Sequence, residues 1–187
     1  MEIAVVFESM FGTTHDVADA IAAGALDARP DATVTVVRVG AADPAQVAAA
    51  DLLIVGGPTH LRGMTSGMSR KMAVQVEQKA ERDQGPSVGH GLEPDAAGPG
   101  LRNWFHHLPM AARGTRAAAF DTRAEGAMMG GAARGIAHRL EGHGFELVAE
   151  PEGFLVDGDA QLLRSGEEDR ARTWAADLVR AASLAAH

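Results

Sequence analysis

Cysteine and tyrosine are both absent from the 187-residue chain. Without Cys, the protein has no disulfide, no Cys-ligated zinc or iron–sulfur site and no Cys nucleophile. The amino terminus also lacks a basic segment, and its apolar run is too short for a signal peptide or a membrane span. We therefore expect a cytoplasmic protein.

Positive charge is scarce as well. Lys and Arg together number 17 against 25 Asp and Glu, which gives a net charge of −8. An acidic chain repels nucleic acid and anionic membrane surfaces, and it suits a partner with a basic face. We therefore expect neither nucleic acid nor membrane as a partner. The length predicts one domain with a substantial core.

Short apolar, β-branched runs alternate with helical patterns along most of the chain. A fifth run is interrupted by Pro151, which is tolerated at a sheet edge. This alternation predicts an α/β fold with a doubly wound parallel sheet and helices on both faces. The predicted strands are Ile3–Phe7, Thr33–Val39, Leu52–Val55, Arg116–Phe120, and Phe145–Val148 continuing to Phe154–Val156. Among the predicted helices are a short one capped by Asp43 that runs through Ala50, a polar one over 69–82, one over Leu101–Leu108, and a final one opened by the Ser165-x-x-Glu168 capping box.

The connection between the first strand and the first helix has the composition of an anion site. Glu8-Ser9-Met10-Phe11-Gly12-Thr13-Thr14 is a tight, hydroxyl-bearing turn, which directs backbone N–H groups and a positive helix end at one point. The alternative is an ordinary turn with a Thr N-cap. Ligands of such sheets bind beyond the carboxyl ends of the strands, where Gly56–Met64 and Asp121–Gly131 should join this loop. Their convergence favours a binding site.

Several phosphate-binding classes are excluded by residue. The sequence has no G-x-x-x-x-G-K-[ST] motif, so it has no nucleoside-triphosphate loop. No G-x-G-x-x-G follows the first strand, which argues against a dinucleotide site. A response-regulator receiver requires a carboxylate at Gly56, and a low-molecular-weight tyrosine phosphatase requires a Cys.

Three stretches resemble the flavodoxin family. Ser9–Thr14 is similar to its [ST]-x-T-G-x-T phosphate loop, Gly57-Pro58-Thr59-His60 to its second loop, and Phe120-Asp121-Thr122-Arg123 to the start of its third. The spacing from Pro58-Thr59 to Met64 also resembles FMN-dependent quinone reductases. The resemblance implies a five-stranded sheet of order 2-1-3-4-5, a single domain over residues 1–187 with an insertion at about 65–100, and FMN as cofactor.

The resemblance also implies a role for each loop. Ser9 and Thr14 hydroxyls, with the N–H groups of Phe11, Gly12 and Thr13, would wrap the FMN phosphate, while the other two loops would border the isoalloxazine. No catalytic side chain and no metal ligand is expected. The implied cofactor-binding residues are Ser9, Met10, Phe11, Gly12, Thr13, Thr14, Pro58, Thr59, His60, Leu61, Asp121, Thr122 and Arg123.

The sequence departs from the family pattern around the ring. Carrier flavodoxins commonly stack the flavin between a Trp and a Tyr, but Tyr is absent here, and Trp104 and Trp174 lie in predicted core helices. The covering groups are expected among His60, Leu61, Met64, Met128 and Met129, or within residues 65–100. That long connection is interpreted either as a partial lid over the flavin or as a surface insertion.

Three functions stay open at this point. The first is an electron-transfer protein that passes electrons between a reductase and an acceptor protein. The second is an NAD(P)H-dependent FMN oxidoreductase acting on quinones or similar small acceptors. The third is a non-redox binding module with the same fold. In the first reading the cofactor carries the chemistry and the protein tunes it.

Overall fold

A computed structural model of the protein describes residues 1–60, 63–65, 67–68, 70–72, 74–75, 92–93, 96, 98–125, 131–157 and 162–184. At His60 it describes the backbone alone. Within these residues the chain forms a twisted sheet whose strands are β1 (Glu2–Phe7), β2 (Thr33–Arg38), β3 (Leu52–His60), β4 (Gly63–Met64), β5 (Arg116–Ala124), β6 (Glu146–Leu147) and β7 (Glu152–Val156).

The parallel strands run in the order β2-β1-β3-β5, and β6 and β7 both pair with β5 at the far edge. The predicted fifth strand is thus present as two short pieces on either side of Pro151. Pro lacks an N–H, so a break at the sheet edge avoids losing a ladder bond. The predicted order and the edge position are confirmed. The short β4 is antiparallel to the end of β3.

Helices cover both faces of the sheet. The helices are α1 (Thr13–Ala28), α2 (Pro44–Val47), α3 (Leu101–Phe105), α4 (Ala132–Gly142) and α5 (Glu167–Leu184). One core packs α1 and α5 against the sheet, and the other packs α2, α3 and α4 against the opposite face. At the α1–α5 crossing, a Cβ on Gly24 would lie 2.6 Å from the Arg172 Cα. Only glycine permits that approach.

Two strands extend beyond their predicted ends. We expected Gly56-Gly57-Pro58 to end the third strand and Asp121-Thr122-Arg123 to end the fourth. Instead β3 continues to His60 and β5 to Ala124, because Gly57 pairs with Asp121 and Pro58 with Thr122. Pairing of β7 with β5 from Phe120 to Ala124 supports the extension on the other side. The second and third predicted loops therefore begin as strand.

Several helix boundaries also differ from prediction. The second helix ends at Val47 and not at Ala50, and α3 ends at Phe105 and not at Leu108. The last helix begins at Glu167, after Gly166 in the left-handed region with φ 86°, and not at the predicted Ser165 capping box. The predicted cap at Asp43 is confirmed, since its carboxylate accepts the Ala45 N–H.

Most of the predicted insertion lies outside the described residues. Its described residues 67–68, 70–72 and 74–75 are helical, in partial agreement with the helix predicted over 69–82. Arg70 and Ala96 within it are buried. The one-domain boundary remains a prediction. In the part of the chain that the structure describes, no helix is long and apolar enough to cross a membrane.

Candidate functional site

The loop after β1 turns sharply at Gly12. Its φ is 88°, a left-handed value that residues with a Cβ rarely adopt. The Gly12 N–H donates to the Ser9 hydroxyl at 3.1 Å. Helix α1 then begins at Thr13 with Gly12 as its N-cap, so the alternative of a Thr N-cap is wrong. Because Gly has no side chain, the cap position leaves the helix end open toward the loop.

A cavity of about 210 Å³ lies at this helix end. All three predicted loops contribute to it, as the position at the carboxyl ends of the strands requires. The structure adds lining from the ends of β5 and β7 that sequence reasoning missed. The lining residues are Ser9, Met10, Phe11, Thr13, Thr14, Pro58, Thr59, Thr122, Arg123, Ala124, Val156 and Asp157.

The remaining predicted site residues fall outside that lining. Gly12 shapes the loop, and Asp121 is fully buried beside the cavity. Leu61, Met128, Met129 and the side chain of His60 lie outside the described residues. Met64 is largely buried, opposite Thr59 in the β3–β4 pair and near Gly135 of α4.

A hydroxyl pair connects the two sides of the cavity. The Thr14 and Thr122 Oγ1 atoms share a hydrogen bond of 2.8 Å, and both residues are buried. This contact fixes the first turn of α1 against β5. The two loops are therefore held at a fixed separation, as a preformed ligand site requires.

Asp121 and Thr59 together cap helix α4. The Asp121 Oδ2 accepts the Ala133 N–H and the Thr59 hydroxyl, each at 2.9 Å. The Thr59 oxygen accepts the Ala132 N–H at 2.8 Å. A Cβ on Gly131 would collide with this carboxylate. Side chains of β3 and β5 thus supply the cap that the helix's own N-cap residue, Gly131, lacks.

The other carboxylate oxygen of Asp121 lacks a close hydrogen-bond donor among the described residues. Its Oδ1 has no hydrogen-bond partner among the described residues, and the Arg123 Nε lies 3.7 Å away. Burial is the main cause that raises the pKa of Asp121 above the ordinary 3.8. The Ala133 N–H, Thr59 and Arg123 oppose the rise, and the charge of Glu152 adds to it. The folded protein therefore favours the protonated carboxyl more than the unfolded chain does.

Asp121→Asn is expected to unfold at the same or a higher urea concentration than wild type at pH 7. The amide keeps a carbonyl acceptor for Ala133 and Thr59 but removes the cost of burying a charge. Because the folded pKa is raised, wild-type stability falls as pH rises from 3.8 through the folded pKa, and the amide has no such dependence. The advantage of Asp121→Asn should therefore grow with pH.

Asp121→Ala is the matched control for that comparison. It removes the acceptor altogether, leaving the Ala133 N–H and the Thr59 hydroxyl unpaired, and should cost about 1–3 kcal/mol of unfolding free energy. Urea titrations of the three proteins across the pH range provide the measurement. A difference between Asn variant and wild type that does not change with pH would contradict the assignment.

Part of the insertion contacts the loop after β1. The Glu93 N–H donates to the Met10 carbonyl at 2.9 Å, and its carboxylate pairs with Arg38 and lies 3.3 Å from the His15 Nδ1. The His15 ring stacks on Phe7 with centroids 4.7 Å apart. The insertion therefore supports the back of the loop at this point. Whether other parts of it cover the ligand edge remains a prediction.

Both tryptophans lie in the cores, as expected. Trp104 is buried, and its indole N–H donates to the Ala42 carbonyl at 3.1 Å. Trp174 packs edge-on against Phe120 and Phe154. Neither belongs to the cavity lining. The aromatic residue that does line it is Phe11. Phe11 stands where the [ST]-x-T-G-x-T loop pattern has a hydroxyl residue.

The donor set of the cavity suits a phosphate group. Hydroxyls of Ser9, Thr13 and Thr14 surround an open helix end, where neutral donors and the helix dipole favour an anion. Phe11, Pro58 and Val156 add apolar surface on the other side. The fold and the cavity together define an α/β protein with a candidate ligand site at the carboxyl edge of its sheet.

Comparison with known proteins identifies the family. The family model described as Flavodoxin matches residues 5–174, so the chain belongs to the flavodoxin family. Proteins of this family bind FMN and transfer electrons, which confirms the cofactor and the general class of function predicted from the sequence. No protein in a search of curated proteins matches.

Solved flavodoxins share the fold at low identity. A flavodoxin from the domain Archaea aligns with a TM-score of 0.63 and 17% identity over 98% of this chain and 99% of its own. The oxidised flavodoxin 2 of Bacillus cereus aligns with a TM-score of 0.62 and 19% identity over 96% of this chain and 99% of its own. At this identity the comparison shows the fold alone.

Proposed function

We propose that this flavodoxin-family protein holds FMN with its phosphate in the Ser9–Thr14 loop and passes electrons between a reductase and an acceptor protein. The observation that supports the proposal is the convergence of all three loops on one cavity at the N-terminus of α1. When bound, FMN supplies the electron chemistry, and the protein binds and orients it.

Each part of the cavity has a separate task in this proposal. The hydroxyls of Ser9 and Thr14 and the N–H groups of Phe11, Gly12 and Thr13 hold the phosphate. The Gly12 N–H donates to the Ser9 hydroxyl in this structure and would exchange that acceptor for a phosphate oxygen. No Lys or Arg lies within that loop, so neutralisation rests on the helix end and on hydrogen bonds. The residues that border the isoalloxazine ring are Pro58, Thr59, His60, Leu61, Asp121, Thr122 and Arg123.

The charge of the protein bears on its partners. A net charge of −8 attracts a basic reductase or acceptor and accelerates its encounter at low ionic strength. We extend the proposal to a cytoplasmic location, where such reductases and acceptors would meet the protein.

One observation favours a second candidate. The β3–β4 pair places Met64 directly opposite Thr59. The spacing from Pro58-Thr59 to Met64 in the sequence resembles that of FMN-dependent quinone reductases, and the pairing brings its two ends together. The second candidate is therefore an NAD(P)H-dependent FMN oxidoreductase acting on quinones or similar small acceptors. The third, non-redox reading predicts a protein without flavin.

Absorbance spectroscopy separates the three functions. The proposed carrier should purify with, or take up, FMN, and NADPH should bleach the flavin only when an NADPH-dependent flavodoxin reductase is added. Direct NADPH oxidation with a quinone and no added reductase would favour the second candidate. A folded protein that neither contains nor binds FMN would support the third function, a non-redox binding module.

A further inference from the structure

A second cavity, of about 600 Å³, lies between β4, α3 and α4. We call it the basic groove and define it by Met64, Arg102, Gly135, His138, Arg139 and His143, with three further glycines at its edges. Its polar side chains are two arginines and two histidines. Among the described residues that line it there is no carboxylate, although the chain as a whole carries a net charge of −8.

The cationic side chains of the groove are held in place. The Arg102 guanidinium donates to the Met64 carbonyl at 3.0 Å and to the Thr65 carbonyl at 3.0 Å. The Arg139 Cζ lies 5.8 Å from the centre of the Phe105 ring, and the His143 ring stacks on the same phenyl at 6.1 Å. Fixed cations lose less entropy on binding an anion than free ones do.

The groove leaves space for a ligand beside α4. A Cβ on Gly135 would meet only the Met64 methyl, at 3.6 Å, so a ligand can approach the backbone of α4 there. The volume lies within the roughly 300–1,000 Å³ typical of small-molecule sites.

We propose that the basic groove binds a phosphorylated small molecule next to the FMN site. Guanidinium and imidazole groups are suited to phosphate oxygens. A large acidic protein would be repelled by the net charge of the chain, whereas a small ligand responds mainly to charges within the Debye length of about 8 Å. This ligand goes beyond the electron-transfer function and does not depend on it.

The groove adjoins the first cavity through the cap of α4. Gly131 lies at its edge, and a Cβ there would stand 3.1 Å from the Thr59 Oγ1, which lines the first cavity. The two sites are therefore neighbours separated by the Thr59–Asp121 cap. A ligand in the groove would contact the helix whose N-terminus borders the proposed FMN ring.

Calorimetric titration of the FMN-loaded protein at low ionic strength tests the proposal with three probes: inorganic pyrophosphate, ADP and adenosine. We expect saturable binding of pyrophosphate or ADP and none of adenosine. Binding of pyrophosphate alone would indicate an inorganic ligand, and stronger binding of ADP a nucleotide. Either result supports a phosphate site.

Two variants test the location independently. Arg139→Gln removes one cation, and Gly135→Glu adds an anion at an open helical position where Glu is a better helix former than Gly. Each should weaken binding about tenfold or more. The control Arg134→Gln, on an exposed position of the same helix that does not line the groove, should leave the affinity unchanged.

Three results would overturn the proposal: no saturable binding of pyrophosphate or ADP, equal weakening by Arg134→Gln, or release of FMN by the probes, which would place them in the Ser9–Thr14 loop. Repeating the titration on FMN-free protein separates this test from that of the proposed function. The groove should bind the probes there too, even if the protein takes up no FMN.

Discussion

Gly12→Val is expected to weaken FMN binding strongly while the protein still folds. Gly12 has a φ of 88° at the N-cap of α1, where a β-branched residue costs roughly 1–2 kcal/mol or more. Relief of that strain would rotate the N–H groups away from the phosphate, and the valine methyls would stand where the phosphate approaches. Loss of two hydrogen bonds to a charged group, about 1.5 kcal/mol or more each, weakens binding roughly hundredfold.

Gly114→Val is the matched control. Gly114 has a nearly identical φ of 82°, with no atom within 4 Å of its Cβ position, and it does not line the cavity. Both variants should therefore lose similar stability in urea, and only Gly12→Val should lose FMN in a fluorescence or absorbance titration. Equal loss of FMN in both, or unchanged affinity in Gly12→Val, would show that the phosphate does not bind at this loop.

The sheet was predictable because its central strands are buried on both faces. Residues Ile3–Phe7 and Leu52–Val55 are almost fully buried. Their sequences are therefore unbroken apolar runs, from which both strands were predicted. Strand extension was not predictable in the same way. Asp121 and Thr122 are polar and look like loop residues, but their partners Thr59, Ala133 and Thr14 come from other elements. Tertiary hydrogen bonds outweighed local composition there.

The site was predictable as far as topology determines it. The loops that follow β1, β3 and β5 must meet at one edge of a parallel sheet, which is why Ser9, Thr59 and Thr122 were grouped from sequence. Val156 and Asp157 were missed because their place depends on the second half of the broken edge strand pairing with the extended end of β5. No local pattern carries that information.

Bulk charge was a poor guide to local charge. The net value of −8 indicated an acidic surface and a basic partner, yet α3 and α4 present Arg102, His138 and Arg139 at one groove. Net charge averages over the surface, whereas a ligand responds to charges within about one Debye length. The net charge acts on a large basic partner, and the basic groove acts on a small anion close to it. One molecule can therefore bind both.

Glu8 is a residue whose role the sequence did not reveal. It follows β1, immediately before the loop, and is buried with 5% of its surface exposed. Its Oε2 accepts the Leu101 N–H at 2.8 Å, while its Oε1 accepts the Thr65 hydroxyl and lies 3.4 Å from the buried Arg70 Nη1. These partners are 57 to 93 residues away in sequence. One carboxylate thus connects β1 to both ends of the insertion.

Glu8→Gln is expected to lower the unfolding free energy by about 3–5 kcal/mol, because it leaves the Arg70 guanidinium buried without its counter-charge. The amide can still accept the Leu101 N–H, so the loss isolates the ion pair rather than the helix contact. Urea unfolding should show a lower midpoint with an unchanged slope. Glu2→Gln, at an exposed position of β1, should change stability by less than about 0.5 kcal/mol.

The double variant Glu8→Gln/Arg70→Met decides whether charge is the cause. Removing both charges eliminates the unpaired cation, and a buried pair replaced by groups of similar volume is often neutral or stabilising. We therefore expect the double variant to recover most of the stability lost in Glu8→Gln, so the coupling in the cycle is at least as large as the stability recovered. If the two losses simply add, the charges are not coupled, and the insertion is held to β1 by the hydrogen bonds of Glu8 and not by the ion pair.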